Sequence, residues 1–243
     1  MATKRPLILP RPMILQAADT PDFSGMLEDH QDRHAAYCKQ HGYEYQALPM
    51  HEGDWVGFWE KLVLIQESVK SGKYSHVIWL DADTIIADFS VGLADALPAW
   101  ASLGMTAHPY PSMFREPIHF NAGAMYWRCD EWAIAFLEHV FALRNARPSA
   151  PAGIGYAVAQ LDGRHVTCER DPSYIDQWAV NETLSCTPEW QERFVVLPRR
   201  WNNSVHDQDC SAPVIAAFHG NGVPIGRRIR MQRWAAEHPH PAE

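Results

Sequence analysis

The sequence predicts an α/β domain with a mainly parallel central sheet flanked by helices. Three observations carry this expectation. Short apolar runs alternate with longer segments whose apolar residues recur every three to four positions, the pattern of strands joined by crossover helices. The run Val77-Ile-Trp-Leu80 is apolar throughout, as in a strand covered on both faces, and it stops at two carboxylates, Asp81 and Asp83. The chain has 243 residues, 47% of them hydrophobic, which suits one sizeable core and a single domain over 1–243.

The elements follow in order. Met13–Ala18 reads as the first strand, after a loose start over about 1–11 in which Pro6 and Pro10 break any regular element. Ser24–His41 reads as a helix with Ser24 as N-cap and Gly42 as its stop, followed by a strand over Tyr43–Leu48. Phe58–Ser71 is an amphipathic helix with Phe58, Leu62, Ile65 and Val69 on one stripe, ended by Gly72. The strand Val77–Leu80 comes next. Asp88–Trp100 is read as loop and short helix, and Met105–His108 and Phe120–Arg128 as strands. Asp130–Leu143 is a helix with Asp130 as N-cap, and Arg147–Gly155, rich in Pro, Gly and Ala, a loop. Ser173–Leu184 reads as a helix, and Phe194–Leu197 and Val214–Phe218 as strands, the latter ending at His219. A basic stretch, Arg227-Arg228-Ile-Arg230, precedes a Pro/His-rich end expected to be loose over about 235–243.

Composition narrows the function classes. A formal charge of −8 argues against nucleic acid as a partner and requires local positive charge for any anionic ligand. No apolar run approaches the roughly 20 residues of a membrane span. The proline-broken N-terminus does not read as a secretory signal. Five cysteines without a Cys-x-x-Cys pair suggest free thiols in a reducing compartment. The expectation is a cytoplasmic protein, at most peripheral at a membrane.

The chemistry centres on Asp81-Ala-Asp83. Residues i and i+2 of a strand point the same way, so the two carboxylates converge where the strand ends. Such a like-charged pair calls for a cation or a shared proton, and carboxylates favour hard divalent ions. Ligands of open α/β sheets bind beyond the carboxyl ends of the strands. Two enzyme classes use this spelling: sugar-nucleotide transferases, which hold a metal diphosphate with Asp-x-Asp, and phosphatases of the haloacid dehalogenase type, which use Asp-x-Asp-x-Thr and so match Asp81 to Thr84 as well.

Three later segments bear on the choice: His119-Phe-Asn-Ala-Gly-Ala-Met-Tyr-Trp127, Asp176-Gln-Trp-Ala-Val-Asn181 and Phe218-His-Gly-Asn-Gly222. Taken with the Asp pair, their order resembles the retaining glycosyltransferases of the GT-A fold, in particular the glycogenin and lipopolysaccharide galactosyltransferase group and the related xylosyl- and galactosyltransferases. The likeness runs from about Met13 to Arg230. It implies an enzyme moving a sugar from a nucleotide-sugar, a UDP-sugar, to a glycan, lipid-linked or protein acceptor.

Carried over residue by residue, the resemblance implies that Asp81, Asp83 and His219 hold the metal, with Mn2+ ahead of Mg2+ because an imidazole joins two carboxylates. It implies Ala17, Asp19 and Thr20 at the nucleoside, Lys61 of Trp59-Glu-Lys61 and Asp81 at the donor, and Asn121 and Ala122 at the donor sugar. Gly220 and Gly222 would admit the diphosphate, and Asp176 and Gln177 would lie on the reacting side. Apart from the resemblance, Trp201-Asn202-Asn203 is a candidate border of the acceptor cleft, because loops carry specificity.

The chain departs from the family after Gly222. The glycogenin-like pattern His-x-x-Gly-x-x-Lys is replaced by Gly222-Val-Pro-Ile-Gly-Arg227-Arg228, so the expected lysine is absent and either arginine is a candidate diphosphate partner. Two further readings compete with this one. The phosphatase requires a downstream lysine, and no lysine follows Lys73. A non-catalytic sugar-nucleotide binding module keeps the same residues without turnover.

Overall fold

A computed structural model describes residues 10–18, 20–49, 57–109, 118–142, 156–161, 164–169, 175–205, 212–218 and 224–240. The main sheet contains β1 (Arg11–Ala18), β2 (Glu44–Pro49), β3 (Tyr74–Leu80), β5 (Leu103–Pro109), β6 (Ile118–Arg128) and β9 (Phe194–Leu197), in the order β2-β1-β3-β6-β5-β9. β1 is parallel to β2 and β3, and β5 to β9, while β6 is antiparallel to both β3 and β5. Five strands therefore run one way and β6 runs against them, which is the mainly parallel sheet the sequence predicts.

Both faces are covered, and this explains the unbroken apolar runs. Met13, Leu15, Val77, Trp79, Met125 and Trp127 face one layer, built by α2 (Gly57–Lys70), α3 (Glu131–Ala142) and α4 (Ile175–Cys186). The alternate residues Ile14, Ile78, Leu80, Ala124 and Tyr126 face the other, where Tyr37 and Cys38 of α1 (Pro21–His41) pack. A strand buried on both sides has no polar position to alternate with. A second sheet joins β10 (Asn203–Ser204), β11 (Ile215–Ala217) and β4 (Thr84–Ile86), and β7 (Tyr156–Leu161) pairs with β8 (Arg164–Glu169) as a hairpin. Its packing partner α5 (Pro224–Glu237) puts Met231 against Met26, Ile85 and Phe218.

One irregularity positions the site. Met105 of β5 pairs with Met125, but the next residue, Thr106, pairs with Asn121. Ala122, Gly123 and Ala124 thus bulge out of the β5 ladder and lean toward the end of β3, where Leu80 pairs with Ala124.

Several boundaries differ from the sequence reading. α1 begins at Pro21, with Thr20 rather than Ser24 as N-cap, because Pro21 is preset for the first helical position and Thr20 Oγ1 accepts from Phe23 N. Gly42 and Gly72 end α1 and follow α2 with φ of 70° and 67°, the left-handed conformation that glycine adopts without strain. Asp130 caps α3 as expected, its carboxylate accepting from Ala133 N at 3.0 Å. Toward the C-terminus, α5 continues to Glu237, Arg33 donates to His238 O at 2.8 Å, and the His240 ring stacks on Phe89, while 241–243 lie outside the described residues. The many arginines of α5 masked a helix that buries only a narrow face. The Arg147–Gly155 loop lies outside the described residues.

Candidate active site

Asp81 is fixed at the mouth of β3 from four directions. Its N–H donates to Gly123 O in the bulge at 2.8 Å, and its carbonyl accepts from Gln16 Nε2 of β1 at 3.3 Å. Oδ1 accepts from the Trp79 indole at 2.7 Å and pairs with Lys61 Nζ at 2.9 Å. Trp79 and Asp81 are two apart, so one strand face carries both the carboxylate and its donor.

Lys61 reaches this point from α2 and is only 6% exposed. Its ammonium also pairs with Asp176 Oδ2 of α4 at 2.9 Å and donates to Ala122 O at 3.2 Å. Three acceptors thus match the three hydrogens of the ammonium. Burial opposes the charge, but the Asp176 and Asp81 carboxylates outweigh it and hold Lys61 above the ordinary lysine range.

A lattice of amides ties α4 to β6. Asn181 accepts from Phe120 N at 2.8 Å and donates to Phe120 O at 2.9 Å. One helical turn earlier, Gln177 Oε1 accepts from Ala122 N at 2.9 Å. These bonds hold the bulge against the helix that carries Asp176. Asn121 Oδ1 accepts from Gly123 N and from Asn202 Nδ2, both at 2.8 Å, so the acceptor end of this amide is fixed by protein groups. Gly123 is small of necessity: a Cβ there would stand 2.8 Å from Asn121 Oδ1 and 3.4 Å from Asp81 Oδ2.

Asp83 belongs to a second grouping. It is buried, its carbonyl accepts from Phe218 N at 2.9 Å, and its Oδ2 pairs with Arg227 Nη1 of α5 at 2.7 Å. The Arg227 guanidinium also lies 5.6 Å from the centre of the Phe23 ring. The neighbouring Arg228 is committed elsewhere, donating to both carboxylate oxygens of Asp29 at 2.6 and 2.7 Å.

The structure therefore brings together Lys61, Asp81, Asn121, Ala122, Asp176 and Gln177, with Asp83 and Arg227 alongside. Ala17 is buried in the core near the end of β1, and Thr20, three residues later, caps α1. Asp19, His219, Gly220 and Gly222 lie outside the described residues, although Phe218, the residue before His219, is bonded to Asp83. Among the described residues no three His, Cys, Asp or Glu side chains cluster around one point. Each carboxylate of the acidic pair faces a positive charge, Asp81 the Lys61 ammonium and Asp83 the Arg227 guanidinium, so the donors are compatible with a cation.

Sequence reasoning missed the roles of Trp79 and Gly123, and placed Asn202 at the acceptor cleft, whereas it is fully buried behind Asn121. The period-2 spacing of Trp79 and Asp81 was the available signal for the first. Trp59 belongs to the core, 3% exposed.

Neither a protein-family model nor a characterised protein sequence matches the chain. Solved structures do resemble it. A glycosyltransferase involved in glycosylation of the major capsid of PBCV-1 superposes with a TM-score of 0.62 at 15% identity, covering 92% of this chain and all of that one. The bifunctional glycosyltransferase WbbM gives 0.57 at 8% identity, over 97% of this chain and 51% of that one. An active-site mutant of LgtC gives 0.50 at 12% identity, over 95% and 98%. The chain has the GT-A fold of these glycosyltransferases.

Proposed function

We propose that this protein is a divalent-cation-dependent glycosyltransferase that takes a sugar from a UDP-sugar and passes it, with retention of configuration, to a glycan, lipid-linked or protein acceptor. The observation that carries the reading is the convergence of Asp81, Asp176 and the bulge carbonyl of Ala122 on the single buried ammonium of Lys61. Side chains from two helices and a strand end are locked around one point beyond the carboxyl ends of the parallel strands, where such sheets bind ligands.

Asp81, Asp83 and His219 would hold the cation, Mn2+ by the character of that donor set, with Mg2+ as the alternative. Bound there, it would act as a Lewis acid on the departing diphosphate. The protein's own groups do the rest. Ala17, Asp19 and Thr20 bind the nucleoside, and Gly220 and Gly222 let the backbone approach the diphosphate. Arg227, which lies beside Asp83, is the guanidinium placed for the growing phosphate charge, whereas Arg228 is turned to Asp29. The Asn121 amide nitrogen and the Ala122 backbone orient the sugar. Asp176 and Gln177 stabilise positive charge developing at the anomeric carbon. Pairing with Lys61 lowers the nucleophilicity of Asp176, so its role is electrostatic rather than covalent.

The test is a thermal-shift screen of UDP-sugars with and without Mn2+, followed by an assay for released UDP. A Mn2+-dependent shift with slow UDP release, lost in Asp83→Ala at unchanged secondary structure, is the expected result. Full activity of that variant would remove the metal assignment. Donor binding without any release or transfer would favour a non-catalytic binding module.

A further inference from the structure

The Asp83–Arg227 pair sits where the reading above puts a divalent cation. Resting on that reading, we propose that Arg227 is a built-in counter-ion of the donor site: it neutralises Asp83 while the site is empty and exchanges with the incoming cation, turning to the donor's diphosphate as the metal takes its place. One side chain thereby couples cation binding to nucleotide binding.

The geometry supports an exchange by side-chain rotation alone. α5 is pinned independently of Arg227: Arg228 and Gln232 both bond to Asp29 of α1, and Met231 is fully buried against Met26 and Phe218. Arg227 lies in the first turns of that helix, with Asp83 Oδ2 at 2.7 Å on one side and the Phe23 ring on another. A guanidinium 2.7 Å from Asp83 Oδ2 competes with a divalent ion for that oxygen, because the two like charges repel each other at contact distance. The pair is almost buried, with side-chain exposures of 15% and 8%, so solvent screening does not relieve the competition. A guanidinium also bonds readily to phosphate oxygens in a bidentate manner. Among the described residues, the side-chain donors to Asp81, Trp79 and Lys61, both use Oδ1 rather than Oδ2.

The experiment measures Mn2+ affinity by the electron paramagnetic resonance signal of free Mn2+, for the wild-type protein, Arg227→Gln and Arg227→Lys. Each is measured first with Mn2+ alone and then with Mn2+ plus UDP. Thermal melting checks that the variants are folded. The expected result is that Arg227→Gln binds Mn2+ alone about tenfold more tightly than wild type, as loss of a resident competitor requires. With UDP present the order inverts, the variant binding the Mn2+–UDP pair more weakly. Arg227→Lys, which keeps the charge, should stay close to wild type in both. Equal or weaker binding of Mn2+ alone by a folded Arg227→Gln overturns the exchange. If wild type also binds neither Mn2+ nor UDP, the donor-site reading fails with it; if wild type binds the Mn2+–UDP pair, only the exchange fails.

Discussion

Lys61 Nζ stands 2.9 Å from both Asp81 Oδ1 and Asp176 Oδ2, so one buried ammonium joins the end of β3 to the first turn of α4. The two carboxylates come from distant stretches of sequence and would repel each other without it. The lysine therefore organises the site as well as balancing its charge.

Lys61→Met tests this. Removing one member of a buried ion pair costs about 3–5 kcal/mol, because the remaining charge is stranded. Chemical denaturation should report a loss in this range, with UDP release abolished. The double variant Lys61→Met/Asp176→Asn should recover about 1–3 kcal/mol relative to additivity, as coupled neighbours do. Strict additivity would show that the pair is not coupled.

Gly123→Ala pushes a methyl group against Asn121 Oδ1 and toward Asp81 Oδ2. Overpacking of this kind costs about 1–3 kcal/mol. The larger effect should fall on turnover, since the bond from Gly123 N fixes the Asn121 amide. A drop in kcat/KM of about tenfold or more, about 1.4 kcal/mol in transition-state terms, is expected from steady-state kinetics. Wild-type kinetics would mean that the bulge accommodates the methyl freely.

Asn181→Leu removes both bonds to the Phe120 backbone. A buried polar group left without a partner costs about 1–3 kcal/mol, and here two are left. The melting temperature should fall clearly, and hydrogen exchange at the Phe120 and Ala122 amides should accelerate. Unchanged exchange would show that the α4 amides do not hold the bulge.

Acid should destabilise the fold through His34. Burial, helped by the nearby His30 and Arg33, depresses this imidazole to about 3 from 6.5. Its Nε2 accepts from Ile86 N, so its Nδ1 carries the hydrogen donated to Gln16 Oε1, the tautomer of a neutral ring. Below pH 6.5 the unfolded chain takes up a proton that the folded chain refuses. The stabilisation is therefore complete above 6.5 and drains away as pH falls toward 3, by up to about 1.4 kcal/mol per pH unit from this group. Urea midpoints between pH 7.5 and 4.5 measure the slope, and His34→Gln should flatten it.

The sequence conveyed the sheet because its strands are apolar on both sides and its helices carry caps such as Asp130 and stops such as Gly42. It conveyed the site as far as the motif residues reach: Asp81, Asn121, Asp176 and Gln177 are brought together as their motifs imply. It did not convey how they are held. Three residues leave the β5 ladder at Ala122–Ala124, and no periodicity announces that register shift. The Trp59-Glu-Lys61 pattern implied a donor contact for Lys61, but nothing local marks the two carboxylates that pair with it. α5 was hidden for a related reason: its arginines are polar in sequence, but Arg227 and Arg228 are partnered by Asp83 and Asp29, distant in the chain.

That last point bears on how the molecule assembles. The bonds from α5 and the residue after it span very long stretches of chain: 205 residues from Arg33 to His238, 199 from Asp29 to Arg228 and 144 from Asp83 to Arg227. Contacts so distant carry the largest loop-closure entropy and are rewarded only after nearer pairings have formed. The strands of the main sheet all precede α5 in the chain, so they can pair before Met231 closes over Met26 and Phe218. The docking of this helix is the natural final step of folding, and until it occurs the chain has an open apolar flank where it is most exposed to self-association.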